Sequence, residues 1–476
     1  MKQDNGRIIR FLLGIIFFFL SISSYAAPVW TFTPISGFPP TVTVARGGGT
    51  ATIKYTITNQ SSTTHSLIMN SITGINQVTT NAGDCAIQFV LGNQQSCTLE
   101  LLATGDLLQK NVTGGPVVCE HGSPLECYQP GSGNRLNVTV VNPTTTTLTS
   151  SLTSLALSVN NTGLNAALTG HPRQITFTNT GVIAATNVTY SASPALPSGT
   201  SISPASCGNV QPGATCTLTI TPGATATSTP VTLTVQGSNT NTLTPAINVL
   251  TYGSTYETGF VFSIDDTYAD FPESVSVGGK VAALSDQVSA GSGIIWSSNS
   301  SGTFDGGVSI WGIDQISTTT SPDPNGSSLS PATLVSGQSN CNGSTSGSCD
   351  STNIIAFYSP PTTTPAISSS FYAAGRCQGT IGNYSDWYLP AICEEGYATL
   401  SSCGTSIAPT IQNMQSNLFD NGDVGGLTGL YWSSTEYSDE SLGHSWSQDF
   451  TAGGGQSPIA KSVLLGVRCV RAMTPN

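Results

Sequence analysis

The sequence predicts a multidomain protein in which two all-β sandwiches precede an α+β domain. A diverged internal repeat lies N-terminal to Tyr256, and within each copy apolar and polar residues alternate with the period of a half-buried strand. These two observations indicate the sandwiches. Beyond Tyr256 the repeat stops, helix signals enter between strand-like segments, and acidic residues dominate the charge. This change in composition and in the predicted secondary structure indicates a third domain of a different class.

The repeat has a period of about 120 residues, which is the size of one β-sandwich. The matching segments are residues 55–59 with residues 175–179, and residues 96–101 with residues 215–220. Residues 53–58 show the alternation most clearly. We therefore predict one sandwich over residues 27–145 and another over residues 146–253. Both copies resemble the immunoglobulin-like modules of bacterial surface proteins.

The N-terminus has the features of a secretory signal peptide. Three basic residues precede the apolar residues 11–20, and a small-x-small cleavage site ends at Ala26. We therefore predict a signal peptide over residues 1–26 and export of the mature chain to the cell surface or the medium, with the periplasm as an alternative. No later segment is long and apolar enough to predict a transmembrane anchor in the mature chain.

The twelve cysteines agree with export, because an even number at short spacings in a secreted chain favours disulfides over free thiols. Five pairs are close enough in sequence to close small loops: Cys85 with Cys97, Cys119 with Cys127, Cys207 with Cys216, Cys341 with Cys349, and Cys393 with Cys403. None has the paired C-x-x-C spacing of a zinc site.

Charge is concentrated in the last domain. Residues 27–253 carry five basic and five acidic residues, whereas residues 254–476 carry five basic and nineteen acidic residues, a net charge of −14. This field excludes nucleic acid as a partner, opposes strongly sulfated polysaccharides and favours a basic partner. Arg468 and Arg471, three positions apart, are the candidates for a small basic patch.

The elements of the last domain follow from local patterns. Strand-like residues 259–263 lead into the Trp-containing segments 294–299 and 307–312, and further strands are predicted around residues 431–434, 445–450 and 464–470. Helix signals occur at residues 371–377, after Pro390 and at residues 409–418. An irregular loop is expected over residues 317–351, with a disulfide between Cys341 and Cys349 constraining it.

Three motifs follow one another in the last hundred residues: SDWYLP at residues 385–390, YWSSTE at residues 431–436 and GVRCVR at residues 466–471. Motifs in this order resemble the Lcl C-terminal-domain family, which comprises secreted bacterial domains with a C-type-lectin-like fold. The resemblance implies a C-type-lectin-like α+β domain over residues 254–476 and a disulfide between Cys377 and Cys469. The family's collagen-like Gly-X-Y stalk is absent, so the sandwiches are expected to serve as the spacer.

Ligand-binding residues are predicted in or beside the polar loop 438–444, because such loops on a rigid scaffold commonly carry recognition. The candidates are Tyr437, His444, Trp446 and Glu436. Trp387 and Trp432 are interpreted as core residues.

Calcium is the one cofactor considered, since C-type lectins place calcium loops in this region. The candidate ligands are Asp420, Asp423 and Asp439. The Glu-Pro-Asn and Trp-Asn-Asp motifs of sugar-binding C-type lectins are absent, so the prediction without a cofactor is preferred.

No catalytic residue is predicted. His444, Ser445 and Asp449 are neighbours in sequence, which rarely form a hydrolase triad, and no Gly-x-Ser-x-Gly motif occurs. The formylglycine-generating enzymes share a related fold, and an oxidoreductase of that kind would use Cys393 and Cys403.

We predict instead an adhesin-like binding protein for a host or matrix glycan or protein. A structural envelope protein without a discrete ligand is the alternative, and the oligomeric state is left open.

Overall fold

The structure, a computed structural model, describes residues 28–164, 166–266, 276–315, 334–451 and 454–474. The predicted signal peptide and residues 317–333 of the predicted loop lie outside the described residues. The chain divides into two compact units, one up to Thr145 and one from Thr146 onward. None of the helices in the described ranges has the length and apolar character needed to cross a membrane.

Within residues 28–145 the first unit, here called the first sandwich, is built from strands and one 3-10 turn at Ser132–Asn134. The strands are β1 (Trp30–Pro34), β2 (Thr41–Ala45), β3 (Thr50–Asn59), β4 (His65–Met69), β5 (Ile75–Val78), β6 (Gln88–Leu91), β7 (Ser96–Thr104), β8 (Val112–Thr113), β9 (Val118–Glu120), β10 (Ser123–Tyr128) and β11 (Asn137–Val141). They form sheets in the orders β1-β3-β7-β5, β10-β9-β4-β6 and β2-β11-β8. The alternation in β3 buries Ile53, Tyr55 and Ile57, which confirms the predicted all-β character.

Residues 146–253, the second sandwich, are also built from strands. These are β12 (Leu148–Ser150), β13 (Ser154–Ser158), β14 (Asn160–Asn161), β15 (Leu168–Thr169), β16 (Arg173–Asn179), β17 (Ala185–Ser193), β18 (Ser201–Ser203), β19 (Gly208–Val210), β20 (Thr215–Thr221), β21 (Val231–Gln236) and β22 (Ala246–Leu250). The two main sheets have the orders β12-β16-β20-β18 and β13-β22-β21-β17-β19, and β14 pairs with β15.

The internal repeat has a physical basis in two buried asparagines. Asn59 ends β3 and Asn179 ends β16, and both are fully buried. The Asn59 amide donates to the carbonyl four residues ahead and to that of Leu91, and the Asn179 amide donates to the corresponding carbonyls of Ile183 and Val210. A buried amide needs such partners, so the Thr-Asn that ends each repeat segment closes the same corner in both sandwiches.

Residues 254–474, here called the C-terminal module, combine sheets with short helices. The strands are β23 (Thr255–Tyr256), β24 (Gly259–Asp265), β25 (Gly278–Ala283), β26 (Gly404–Thr405), β27 (Ala408–Pro409), β28 (Gly429–Glu436), β29 (His444–Phe450), β30 (Gln456–Ala460) and β31 (Val470–Ala472). The α-helices are α1 (Gly347–Phe357) and α2 (Ile392–Glu395), with 3-10 turns at Ala374–Cys377 and Thr399–Ser401 and a π-helical turn at Gln415–Phe419. The main sheets are β23-β24-β25-β31 and β28-β29-β30.

Helix α1 begins at Gly347, inside the segment 317–351 that was predicted as an irregular loop. The loop prediction is therefore wrong for residues 347–351. The helix lacks a clear apolar stripe because it buries polar side chains instead. The Asn353 amide donates to the Trp311 carbonyl at 2.8 Å, and the Ser351 hydroxyl donates to the Leu389 carbonyl at 3.1 Å. Neighbouring backbone groups therefore satisfy residues that helix periodicity would assign to solvent.

Other predicted elements are shorter or absent. The helix predicted at residues 371–377 is a 3-10 turn, and that at residues 409–418 is confined to the π-helical turn. Segment 294–299 forms only a single bridge, between Ile294 and Leu465. Both Trp296 and the predicted core residue Trp432 are buried.

The second sandwich and the C-terminal module share one continuous hydrophobic core. At their seam Arg173 forms a buried ion pair with Asp266, which also accepts a hydrogen bond from Ser158. Beside it, the Ala156 amide donates to the Ser276 hydroxyl at 3.0 Å, and the Val277 amide donates to the Ala156 carbonyl at 3.2 Å. These contacts cover the open edge of β13 and join the two parts into a single body.

Candidate functional site

The turn between β28 and β29, residues 437–443, is the strongest candidate for a recognition surface and is called the hairpin tip below. Tyr437 is partly exposed, and its hydroxyl donates to Asp439 Oδ2 at 2.8 Å. The Glu440 side chain is 64% exposed, with Oε2 at 3.1 Å from Nδ1 of the partly exposed His444. The tip therefore presents an aromatic ring, two carboxylates and an imidazole.

A buried ion pair supports the tip from below. Lys461 Nζ lies 2.5 Å from Glu436 Oε1, and both side chains are at most 1% exposed. Nζ also donates to the carbonyls of Val308 at 2.6 Å and Ser441 at 2.7 Å, while the Ile310 amide donates to Glu436 at 3.1 Å. Burial raises the pKa of Glu436 to about 7, against the opposing effect of Lys461.

The ammonium of Lys461 has a further neighbour in the face of Trp296, whose ring centroid lies 4.1 Å from Nζ. Since one of its donors goes to Ser441 in the tip itself, this lysine ties the turn to the core. Sequence reasoning assigned Lys461 no role beyond its charge. No local motif marks it, because its partners come from three distant parts of the chain.

Trp446 is a support of the tip and is not positioned to contact a ligand. It is 1% exposed, its Nε1 donates to Gln315 Oε1 at 3.0 Å, and its ring packs edge-on against Tyr437 with centroids 5.5 Å apart. Gln315 Oε1 also accepts a hydrogen bond from the Ser438 amide at 2.7 Å. The prediction of Trp446 as a ligand contact is wrong, because β29 is covered on both faces there.

Glu436 requires the same correction. Its side chain is fully engaged by Lys461 and the Ile310 amide inside the protein. Of the four predicted ligand-binding residues, Tyr437 and His444 reach the surface and Glu436 and Trp446 lie beneath them. Proximity to a polar loop indicated the right region but could not distinguish its outer layer from its inner one.

The three predicted calcium ligands do not form one group, because Asp420 and Asp423 lie in the turn that follows Gln415–Phe419 whereas Asp439 lies at the hairpin tip. Asp420 accepts hydrogen bonds from Tyr397 and Gln415 at one end of the hairpin, near Phe450, whose ring contacts Phe419. Asp439 lies at the tip, about 20 Å away along β29 at the usual rise per strand residue. Within the described ranges, no group of three or more His, Cys, Asp or Glu side chains could hold a metal ion. Asp420, Asp423 and Asp439 therefore do not form the single calcium site predicted from the sequence.

A buried chain of amides lies behind the hairpin and was not predicted. Gln456 donates to Gln448 at 3.1 Å, Gln448 donates to Gln415 at 3.1 Å, and Gln415 donates to Asp420 at 2.7 Å. The three glutamines are at most 7% exposed. Glutamines in strands, such as Gln448 and Gln456, are normally assigned to the solvent face, and Gln415 lies in the π-helical turn, so the sequence carries no signal for this network.

The predicted basic patch does not exist. Arg468 is buried against Asp286, with Nε at 2.7 Å, and Arg471 is buried between Glu257 and Asp386, with Nε at 2.8 Å from Asp386. Both guanidinium groups therefore point into the protein, and they form no positive patch on the negatively charged surface of the module.

Six disulfides join all twelve cysteines in the pairs named in the sequence analysis. They are Cys85–Cys97, Cys119–Cys127, Cys207–Cys216, Cys341–Cys349, Cys377–Cys469 and Cys393–Cys403. Cys393 and Cys403, the pair considered for an oxidoreductase, are both 1% exposed. Their disulfide anchors α2 to the strand pair β26–β27.

No protein-family model matches the chain, and no curated protein matches it in sequence. Similar solved structures include the Yersinia pseudotuberculosis adhesin InvE, with 13% identity over 93% of this chain and 97% of that one, at a TM-score of 0.18. Domains 5–6 of the S-layer protein SbsC are 14% identical over 47% of this chain and 100% of that one, at a TM-score of 0.15. A Porphyromonas gingivalis W83 protein of unknown function is 10% identical over 46% of this chain and 99% of that one, at a TM-score of 0.18. At these TM-scores the similarities define neither the fold nor the function.

Proposed function

We propose that the protein is an exported, adhesin-like binding protein in which the first sandwich and the second sandwich carry a recognition module at the C-terminus. Six disulfides support an oxidising compartment outside the cytoplasm. The proposal includes no catalytic role and no cofactor. Its recognition surface is the hairpin tip.

The observation that carries the proposal is the contrast between the exposed tip and its buried base. Tyr437, Glu440 and His444 reach solvent, while Lys461 and Glu436 hold the backbone beneath them. A buried ion pair persists only when its partners are closely satisfied, so this base has little freedom to move. Rigid support of an exposed polar loop is the arrangement that binding sites require, because it lowers the entropy lost on binding.

Membership of the Lcl C-terminal-domain family, with a C-type-lectin-like fold, is part of the proposal. Contacts among the three motifs support it. Tyr388 in the first motif pairs with Val470 in the third, and Tyr431 in the second pairs with Gly466 in the third. Arg471 also binds Asp386 across the first and third motifs. The residues that carry the resemblance thus form one contiguous part of the module.

The proposed partner is a neutral or basic group on a host or matrix glycan or protein. The tip itself carries Asp439 and Glu440, and residues 254–476 have a net charge of −14. Arg468, Arg471 and Lys461 are buried in ion pairs and cannot attract an anion. Sulfated polysaccharides and nucleic acids are accordingly not expected as partners.

The test is a binding screen of the intact chain on a glycan array and on immobilised matrix proteins. The intact chain is needed because a fragment beginning at residue 254 would expose the core shared with the second sandwich. For any ligand found, Tyr437→Ala and His444→Ala should each weaken binding about tenfold, which corresponds to roughly 1.4 kcal/mol of lost contact energy. Their thermal midpoints should stay close to that of the wild type, since both side chains are partly exposed.

Tyr397→Ala is the matched control, because Tyr397 also donates its hydroxyl to an aspartate, Asp420, but at the far end of the hairpin. It should bind like the wild type. Absence of any ligand in both screens would favour the structural envelope protein without a discrete ligand. A ligand whose affinity is equal for all three variants would remove the tip from consideration.

A further inference from the structure

A cleft of about 760 Å³ lies between the second sandwich and the C-terminal module. Its lining includes Lys280, Thr345, Thr410, Gln412, Ile411 and Asp265, and Ala166 contributes from the second sandwich. The volume falls within the range of small-molecule sites. None of these residues belongs to the hairpin tip.

Lys280 is held in place at this cleft by a buried acid. Its Nζ lies 2.5 Å from Glu394 Oε1, and its side chain is 30% exposed whereas that of Glu394 is 1% exposed. The same oxygen accepts a hydrogen bond from the Tyr388 hydroxyl at 3.1 Å, and Oε2 accepts one from the Ala391 amide at 2.8 Å. Glu394 is therefore fixed from three sides and orients the lysine.

The ammonium of Lys280 retains hydrogen-bonding capacity. It has three N–H donors, and within the described part of the chain Glu394 is the one side chain that accepts from it. The contacts of the described residues thus leave two of its donors available to a ligand in the cleft. Because Glu394 offsets the positive charge, these donors act as polar groups more than as a net cation.

A second part of the lining, formed by Gln412 and Thr410, is also fixed in place. The Gln412 side chain accepts from the Ile264 amide at 2.7 Å and donates to the Ile264 carbonyl at 2.9 Å, which ties this part of the lining to the end of β24. The Thr410 hydroxyl donates to the Ser402 carbonyl at 2.9 Å, which orients its oxygen. The Cys393–Cys403 disulfide joins this part of the lining to α2, the helix that carries Glu394.

The cleft thus combines oriented N–H and hydroxyl groups with the apolar surfaces of Ile411 and Pro409. A saccharide has the complementary character, with hydroxyls at its rim and C–H faces on its ring. The net charge of −14 on residues 254–476 disfavours acidic sugars. From this combination we propose that the cleft between the second sandwich and the C-terminal module binds a neutral saccharide.

This site is independent of the proposed function of the hairpin tip, since the two share no residue. Either could fail without the other. The Tyr437→Ala variant separates them in practice, because it should leave saccharide binding at the cleft unchanged.

The test is titration calorimetry of the intact chain with trisaccharides of glucose, mannose, galactose and N-acetylglucosamine, and with trigalacturonate as the acidic counterpart. Thr345→Val removes a lining hydroxyl while keeping the shape of the side chain. The double variant Lys280→Gln/Glu394→Gln removes the charges but leaves no orphaned carboxylate in the core. Thr405→Val, on the adjacent β26 and outside the cleft lining, is the control.

We expect at least one neutral trisaccharide to bind, with affinity lowered tenfold or more in Thr345→Val and in the double variant, and within twofold of the wild type in Thr405→Val. Thr345→Val keeps the test decisive if the double variant does not fold. Binding of none of the neutral sugars, preference for trigalacturonate, or equal affinity in Thr345→Val would each overturn the proposal.

Discussion

Tyr437 and Trp446 face one another across the hairpin, but their environments differ. The Tyr437 side chain reaches solvent, whereas Trp446 is 1% exposed and hydrogen-bonded to Gln315. In the sequence both are aromatic residues beside a polar loop. Which of them is buried depends on Gln315, more than 120 residues earlier in the chain, and this is why sequence reasoning assigned both to the ligand surface.

The two residues should respond differently to substitution. Trp446→Ala should lower the free energy of unfolding by about 3–5 kcal/mol, because it leaves a cavity and an unpaired Gln315. Tyr437→Ala should change it by less than about 1 kcal/mol, as expected for a side chain near the surface. Urea unfolding of both variants measures the difference. Equal losses would contradict the assignment of Trp446 to the base and Tyr437 to the surface.

Asp350 is a second residue whose role depends on burial. Located in the first turn of α1 and fully buried, it accepts a hydrogen bond from the Ser434 hydroxyl at 3.0 Å. Burial raises the pKa of Asp350 well above its usual value, and the nearby Glu394, Glu436 and Asp314 carboxylates add to the shift. The folded state therefore binds this proton more tightly than the unfolded state.

The consequence is a stability that falls as pH rises. Below a pH of about 4 the carboxyl is protonated in both the folded and the unfolded state, so Asp350 does not lower the free energy of unfolding. As the pH rises towards the raised pKa, the unfolded state loses its proton more readily and the free energy of unfolding falls. Asp350→Asn can still accept from Ser434 but never ionises. Its gain in unfolding free energy over the wild type should be larger at pH 8 than at pH 5 in urea titrations. A gain that is the same at both values would show that Asp350 does not titrate as proposed.

At the scale of elements, strands with regular alternation could be predicted and elements stabilised by polar burial could not. Strand β3 and its repeat partner β16 follow from alternation, and the corner asparagines Asn59 and Asn179 explain why the repeat ends as it does. Helix α1 buries Asp350 against the Ser434 hydroxyl and Asn353 against the Trp311 carbonyl, and no local pattern reveals either partner. The amide network of Gln415, Gln448 and Gln456 was missed for the same reason.

The Cys377–Cys469 disulfide links the 3-10 turn at Ala374–Cys377 to the segment leading into β31, across a sequence separation of 92 residues. In the chain-entropy model, closing so long a loop stabilises the fold by roughly 4–5 kcal/mol. The free energy of unfolding of the Cys377→Ala/Cys469→Ala variant should be lower than that of the wild type by about this amount. Cys341→Ala/Cys349→Ala, whose cysteines are 8 residues apart, should lose only about 2–3 kcal/mol in the same model.

Thermal unfolding of both double variants measures the ranking, and non-reducing peptide mapping of the wild type checks the bond itself. A free thiol at Cys377 or Cys469 would remove the basis for this prediction. A larger loss from the Cys341–Cys349 variant would show that loop length does not decide the contribution.

At the scale of the whole molecule, the basic side chains of the C-terminal module are largely turned inward. Lys461, Arg468 and Arg471 are at most 2% exposed, and Lys280 is paired with Glu394. The charge count over residues 254–476 was available from the sequence. The burial of three of the five cations could not be predicted from the sequence, because each of their ion pairs joins residues far apart in the chain.

This arrangement predicts weak binding to polyanions. The intact chain, free of divalent ions, should elute from heparin and from immobilised DNA below physiological salt, because the field that it presents is negative. Binding to a polylysine surface should be measurable at low salt and should decline as the screening length falls to about 8 Å at physiological ionic strength. Retention on heparin beyond physiological salt would contradict this view of the surface.

The position of β31 has a consequence for how the protein is made. This strand pairs with β25, and Arg471 within it binds Glu257 beside the first hairpin of the module. A chain that crosses a membrane N-terminus first delivers β25 nearly 200 residues before its partner strand. The first sandwich is complete as soon as β11 has emerged, but the module must wait, with its apolar residues uncovered, until residues 470–472 arrive. If the protein is exported as proposed, its module therefore most needs protection by chaperones in the interval between the appearance of Gly278 and that of Val470.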